Sequence, residues 1–500
     1  MSEPDVAVYG ATAAGVIAAR AAADLGAAVV LLEPGRYLGG MASSGLGKTD
    51  MERQERVIGG AARRFYESVG THYGEPVAWR FEPHVAASVF DAIVDHPRIS
   101  VRLESRLTDV TRSATAIESA AFDGGPVRAA TWIDATYEGD LLAAAGITHR
   151  VGRESRSLHD EPFAGRRELL PGPHQFVAPV LATDAGGLGP LIQPLDAIGT
   201  PGDGDGKVQS FCYRICLTTD LAHADPLDAP DAHHPGRYDL LIAYLRALGD
   251  RATLRHALGI GQVPNGKTDV NSDGAISTNL LGASWGWLAA DAPGRHAIAR
   301  QHETWARGLL HVLAHDPRVP SSIRGEMGRY GMPRDEFRDT GGWPHQLYVR
   351  EARRMVGAYV LTQRDLVTDR LKPDAIGMGG YNVDVREVQW VAAPVSRFPE
   401  VHDEVLTEGY LSWPVEPWQI PYRALLPHRE ECTNLVVPVC ISASHVAFNG
   451  FRLEPQYMIA GEAAGVAAAL AARVGTPLHD VRIEELQQRL RRGGAVLSLG

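Results

Sequence analysis

Gly10 and Gly15 in "VYGATAAG", with Glu33 eighteen residues past Gly15, are the residues whose types and spacing most directly imply chemistry. A short apolar run, a glycine turn and an alanine-rich stretch without proline place the N–H groups and positive end of a helix beside the turn. That end is a natural seat for a pyrophosphate. A carboxylate closing the next strand lies where a ribose is held, so the pattern is that of a dinucleotide site. Thr12 stands where G-x-G-x-x-G has its middle glycine. Its hydroxyl is expected to donate to a phosphate oxygen, and the motif to survive with one side-chain contact added.

Two other patterns come to less. Asp269, Asn271, Asp273 and Gly274 have the spacing that opens a calcium loop, but Leu280 holds the twelfth position, where a bidentate glutamate is required. No metal is expected. Cys212 and Cys216 would share one face of a strand beside Arg214, and four cysteines in 500 residues are too few for a disulfide framework. They read as structural thiols, and the lack of a cysteine pair after Glu33 argues against a dithiol reductase.

The elements around the motif follow from periodicity. Residues 5–9 and 28–32 read as strands, and 15–25 as the helix between them, stopped by Gly26. Residues 34–50 are too glycine-rich for a helix and suit backbone passing a flat ligand. Helices are expected at 57–70 and 84–96, and a β-meander across 99–133 before a turn at Asp134. Residues 151–424 carry most of the tryptophans, long proline-punctuated loops and isolated helices at 238–248 and 349–360, and read as an inserted substrate-binding domain. Residues 425–500 return to the character of 1–150: a buried strand, a polar turn and a long alanine-rich helix. Pro264 interrupts "GIGQVPNG", so no separate nicotinamide domain is expected.

A net charge of −11 and a pI near 6.0 argue against nucleic acid as a partner, which needs a basic face. Apolar runs are too short to span a membrane, and a first strand at residue 5 leaves no room for a leader, so a cytoplasmic protein is expected.

Together the pieces resemble the glutathione-reductase-type FAD-binding fold, and most closely the FAD-dependent oxidoreductase family, over essentially the whole chain. The carriers are "VYGATAAG" with Glu33, "LGGMASSGLGKTD", "IDATYEGDLLAAAG", "ISTNLLGASW", "PHQLYVREARRMVG", "WQIPYRALLP" and "VCISASHVAFNGFRLEPQYMIAGEAAGVAAAL". The resemblance implies an α/β, Rossmann-like FAD domain, discontinuous in sequence, with an inserted α+β substrate domain. It places the AMP half of FAD on Gly10, Thr12, Ala13, Ala14, Gly15 and Glu33, with Pro34 and Arg36 beside it. The loop through Gly39, Gly40, Met41, Ser44 and Gly45 would follow the pyrophosphate and flavin. Ala135 and Thr136 would lie near the nucleotide, and Ser442, Ser444, Pro455, Gln456 and Met458 would reach the cofactor from the last segment. In related fumarate-reductase-like flavoproteins a loop histidine can carry a covalent link. This loop has none, so noncovalent FAD is expected.

The resemblance also distributes catalytic roles. A helix starting near Glu454 or Pro455 would aim its positive end at the pyrimidine side of the flavin. Arg452 sits like the arginine leading that helix in fumarate-reductase-like enzymes. Arg350 lies in a family-typical segment, with Arg353 and Arg354 on the same predicted helix. His445 is the leading general base, since hydride removal from a C–H bearing OH or NH needs a group to take the heteroatom proton. Tyr348, His345 and Glu454 stand in reserve, and Asn279 or Trp285 would face the substrate. The implied activity is that of a dehydrogenase or oxidase passing hydride from a small polar alcohol or amine to flavin N5. Arg350 and Arg452 would hold an anionic or polyhydroxylated part of it. A desaturase or ene-reductase acting on C–C bonds and a redox-neutral flavin-binding protein are the alternatives. The electron acceptor is open among oxygen, a quinone and an electron-transfer protein, and the composition hints at a tailoring role in biosynthesis.

Overall fold

The computed structural model describes residues 3–394 and 403–499. Its organising element is a five-stranded parallel sheet of β1 (Val6–Tyr9), β2 (Val29–Leu32), β3 (Ile99–Arg102), β7 (Thr131–Asp134) and β8 (Leu435–Val436), in the order β8-β7-β1-β2-β3. Between β3 and β7 runs an antiparallel three-stranded meander, β4 (Leu107–Arg112), β5 (Ile117–Phe122) and β6 (Gly125–Val127). The meander is therefore shorter than the expected 99–133. Its first and last runs joined the parallel sheet instead, and the "TWID" run of β7 is buried at every residue, as a strand covered on both faces must be.

Helix α1 (Ala13–Asp24) follows β1, and α2 (Gly60–Tyr73) and α3 (Pro83–Val94) follow the glycine-rich loop. The last segment supplies α4 (His445–Phe451) and α5 (Glu454–Val474). Close approach of α1 and α5 explains their composition. A Cβ built on Gly461 would stand 2.3 Å from Ala14 O, and one on Gly465 2.2 Å from Ala18 O. Small residues on both helices let the backbones touch, which locks the C-terminal segment onto the first 25 residues. At 21 residues and a mean hydropathy of 1.3, α5 is long and apolar enough to cross a membrane, contrary to the expectation of no such run. Of that window, 83% is buried inside the fold.

In the interposed region, Asp239–Leu248 is helical as expected. Residues 349–360 are not. They form irregular chain around a two-residue strand, Arg354–Met355 pairing antiparallel with His149–Arg150, while Met355 N donates to Cys440 O (3.1 Å) and Val356 N to Thr148 O (2.8 Å). The arginine spacing that suggested one helical face is overridden because each side chain is held by a different partner. Residues 267–272 form a strand paired with 258–263, and Asp269 there is gripped by Arg214 (2.6 and 2.5 Å).

Candidate active site

The dinucleotide motif forms one joint. Gly10 has φ +93°, and a Cβ there would stand 2.7 Å from Thr136 N. A Cβ on Gly15 would lie 1.8 Å from Gly10 O, so β1 can turn directly into α1 only with glycine at both positions. Thr12 is the N-cap of α1. Its Oγ1 accepts from Gly15 N (3.3 Å) and donates to Ala135 O (2.7 Å). The hydroxyl proton expected on a phosphate is thus given to the β7 turn, tying two edges of the cradle together. Ala13 and Ala14 are fully buried in the first turn of α1. Glu33 accepts from Ala11 N and Gly35 N (both 2.7 Å), and removal from water pushes its carboxyl up to about 7. Pro34 is partly buried beside it, and Arg36 is exposed.

The glycine-rich loop leaves this joint through Gly39 N, which donates to Ala11 O (2.8 Å), and turns as a short 3-10 helix over Gly40–Ser43. Ser44 Oγ accepts from Gln346 N (2.8 Å) and Gly45 O from Gly47 N (2.8 Å), so the loop leans on the 343–350 segment. A relay then runs to the last helix: Met41 N donates to Tyr137 Oη (2.9 Å), and Tyr137 Oη donates to Glu454 Oε1 (2.6 Å). Glu454 is the first residue of α5, with Pro455 next. Gln456 N and Tyr457 N both turn back onto Leu453 O (2.9 and 3.0 Å), so fewer N–H groups are free there than expected. Burial raises the Glu454 carboxyl to about 7, and its Oε2 has no partner among the described residues.

A second assembly is polar, buried and continuous. His445, N-capped by Ser444, opens α4, and its Nδ1 stands 2.8 Å from Glu351 Oε1. A carboxylate accepts, so Nδ1 carries a proton and Nε2 is the nitrogen turned away from the pair. Glu351 also receives Arg354, Gln209 (2.8 Å) and Asn449 (3.1 Å). Burial would raise its pKa, but His445 and Arg354 outweigh that and hold it at about 2. Arg354 continues to Glu154 Oε1 (2.7 Å), whose Oε2 accepts from His445 N (2.8 Å). Asn449 carries the network onward, accepting from Arg452 Nε (2.9 Å). Arg452 also donates to Tyr348 Oη (3.0 Å) and Asp384 Oδ2 (2.7 Å). Beyond it, Arg386 reaches His174 Nε2 (2.8 Å), His174 Nδ1 lies 2.5 Å from Glu387, and Asn279 links Glu387 (2.8 Å) to Arg350 Nη1 (3.0 Å). Arg350 Nη2 meets Cys212 Sγ at 3.0 Å, and its guanidinium lies 4.7 Å over the Tyr348 ring. Burial lowers the pKa of Arg350.

His445, Arg350, Arg452 and Tyr348 therefore belong to one hydrogen-bonded system, and Glu454 to the relay from the loop. Other singled-out residues have partners within the fold. Ser442 Oγ accepts from Gly357 N (2.9 Å), Ser444 Oγ donates to Glu161 (2.6 Å), and Gln456 Nε2 donates to Gly450 O and Phe451 O (3.1 and 2.6 Å) at the end of α4. Met458 is fully buried. Thr136 Oγ1 donates to Asp134 (2.7 Å). His345 stacks on Tyr37 at 3.9 Å, and burial pushes its pKa down to about 4. Arg353 binds Asp140 (2.9 Å), and Lys207 Nζ lies 4.7 Å from the Trp285 ring. Sequence reasoning missed Glu351, Asn449, Asp384, Arg386, His174 and Glu387. Only Glu351, adjacent to Arg350, left a local signal. Elsewhere Glu82, His84, Asp335 and Glu336 converge, but Lys267 Nζ already stands 2.7–2.8 Å from the three carboxylates.

The family model described as FAD dependent oxidoreductase matches residues 5–490. Among solved structures the chain is similar to an L-proline dehydrogenase from P. horikoshii (14% identity, 31% of this chain and 59% of that one, TM-score 0.26). It is also similar to a thioredoxin reductase from T. acidophilum (18%, 31% and 40%, TM-score 0.20) and a flavoprotein/dehydrogenase from Cytophaga hutchinsonii (18%, 29% and 42%, TM-score 0.22). These matches span about half the length of the solved chains, at 40–59%. No curated protein matches the chain.

Proposed function

We infer the reaction from one premise: the chain belongs to the FAD-dependent oxidoreductase family and is an enzyme that uses FAD. The cradle fits that cofactor. It combines a Thr12-capped helix start, a carboxylate at the ribose position, a turn that only glycines allow, and a buried, unpartnered Glu454 oxygen at the start of α5. We propose that the arrangement is of the glutathione-reductase type, with residues 1–150 and 425–500 forming the FAD domain and 151–424 the substrate domain. FAD, when bound, supplies the two-electron acceptor that takes hydride at flavin N5.

The proposed reaction is oxidation of a small polar alcohol or amine. The observation that carries it is the His445–Glu351 pair at 2.8 Å, joined through Asn449 to Arg452 and Tyr348. Glu351 fixes the ring so that Nε2 faces outward from the pair as the base, and stabilises the imidazolium when the heteroatom proton arrives. Asn449 keeps the Glu351 side of the network in register with Arg452, which holds Tyr348. Arg350, buried without a carboxylate partner of its own among the described residues, contributes the positive field for the polar part of the substrate. Oxidation of a C–C bond would require the base to take a carbon-bound proton, which an imidazole removes less readily than the proton of a hydroxyl or ammonium group. A cytoplasmic enzyme with noncovalent FAD, reoxidised by oxygen, a quinone or an electron-transfer protein, remains part of the reading.

The test is anaerobic. Purified holoenzyme is mixed with polyols, amines and hydroxy acids, and the visible flavin band is followed. Bleaching by an alcohol or amine supports the reading. Bleaching only by a C–C donor, or only by dithionite, contradicts it.

A further inference from the structure

A cavity of about 530 Å³ lies outside the dinucleotide cradle and takes in Lys48, Arg214, Asn271, Asp273, Tyr330 and Arg386 among its walls. Its position links the two assemblies. Lys48 is three residues beyond Gly45 of the cofactor loop, and Arg386 is two beyond Asp384, which Arg452 grips. The volume lies within the range of small-molecule sites.

Its charges identify what it fits. Four basic side chains in the walls face four carboxylates, and the inner ones are already matched. Arg214 holds Asp269 bidentately (2.6 and 2.5 Å). Arg386 donates to His174 (2.8 Å) and has Asp384 at 3.7 Å, and Lys48 has Asp50 at 3.7 Å and Glu52 at 3.9 Å. A carboxylate or phosphate ligand would find Arg214, Arg386 and Lys48 compensated, and at Arg255 it would share the wall with Asp273 and Glu326. An ammonium would find Asp269 and Asp50 already taken, and at Asp273 and Glu326 it would share the wall with Arg255. What this wall offers is a dense mix of donors and acceptors at balanced charge, and the neutral group that is both donor and acceptor is the hydroxyl. Gly259 and Gly261, on the strand 258–263, leave part of the wall as bare backbone, with Tyr330 and Leu258 for the C–H face of a ring.

We propose that this cavity is the substrate pocket and that it takes an uncharged polyhydroxylated molecule, a sugar or cyclic polyol, through Arg386, Asn271 and Asp273. The proposal rests on the oxidoreductase reading above and narrows its substrate from alcohol or amine to alcohol.

Saturation-transfer NMR and anaerobic flavin spectra are measured on the same holoenzyme with neutral sugars and cyclic polyols, their uronic acids, and their amino derivatives. Asp273→Asn and Asn271→Ala are the test variants, with flavin content and melting temperature as controls for folding. The expected result is binding and flavin bleaching by a neutral polyol, with KM raised about tenfold or more in each variant and kcat within about threefold. Saturation transfer to an acid or amine alone, or to none of them, overturns the proposal. So does bleaching by a polyol to which both variants are indifferent, although the alcohol-oxidation reading then survives. Polyol binding weakened by the variants, with no donor bleaching the flavin, supports the pocket and contradicts the oxidation reading instead.

Discussion

The cofactor cradle and the polar network bury carboxyls in opposite ways. In the cradle, the partly buried Glu33 and the buried Asp134 and Glu454 have backbone or hydroxyl donors but, among the described residues, no cation. Their pKa values are pushed up to about 7, 6 and 7. In the network, Glu351 and Glu387 are buried as deeply as Asp134 and Glu454, yet His445 with Arg354 and His174 with Arg386 outweigh desolvation, and both are held at about 2. The cradle thus holds its carboxyls less readily charged than free ones beside a doubly anionic pyrophosphate. The network keeps fixed charges whose fields can act on a reacting proton. One fold uses burial to remove charge in one place and to strengthen it in another.

The largest expected effect breaks the cradle alone. Gly15→Val drives a branched side chain into Gly10 O and should give insoluble or flavin-free protein, read by the flavin-to-protein absorbance ratio and the melting temperature. If Gly15→Val retained FAD at wild-type stability, β1 and α1 would not be joined as described.

Breaking the network should separate chemistry from cofactor. Glu351→Gln leaves Arg354 and His445 short of a buried anion, a loss on the order of 3–5 kcal/mol. Turnover of any substrate should fall about 10²-fold or more, with flavin content of the soluble fraction unchanged. Loss of FAD in parallel with activity would erase the distinction between the two regions.

The contrast in pKa fixes two pH windows of opposite sign. Glu351 has a folded pKa below its ordinary 4.5, so its contribution is complete above about 4.5 and is lost as pH falls toward 2. Glu454 has a folded pKa above 4.5, so its contribution is complete below 4.5 and is lost as pH rises through about 7. Each shift corresponds to roughly 3 kcal/mol. Denaturant titrations from pH 3 to 8 should show Glu351→Gln flattening the acid limb and Glu454→Gln flattening the limb between 4.5 and 7. Exchanged effects would invert the comparison.

The smallest effect tests the Thr12 tie. Thr12→Val removes its bonds to Ala135 O and Gly15 N and should cost about 1–2 kcal/mol with FAD affinity reduced several-fold, whereas Thr12→Ser should stay near wild type.

The two regions also differ in how far the sequence revealed them. The cradle was legible because its parts lie within thirty residues in fixed order: Gly10, Gly15 and Glu33 constrain each other through one turn and two strands. Even there, the partner of the Thr12 hydroxyl lies 123 residues away and escaped notice. The network was legible only as isolated residues. His445 meets Glu351 across 94 residues, Arg452 meets Tyr348 across 104, and Glu154 reaches His445 across 291. No local period encodes such pairs. The one local pattern there misled, since Arg350, Arg353 and Arg354 have the spacing of a helix face but lie on non-helical chain, where contacts with separate partners outweigh propensity.

The measurement that bears most directly on the division of labour between cradle and network is the anaerobic reduction rate of His445→Ala, by stopped flow, beside its flavin content. Reduction by the best alcohol or amine donor slowed about 10²-fold or more, in protein holding a full complement of FAD, is the expected result. Reduction within threefold of wild type, or protein that has lost its flavin, would contradict the assignment of the base to the His445–Glu351 pair.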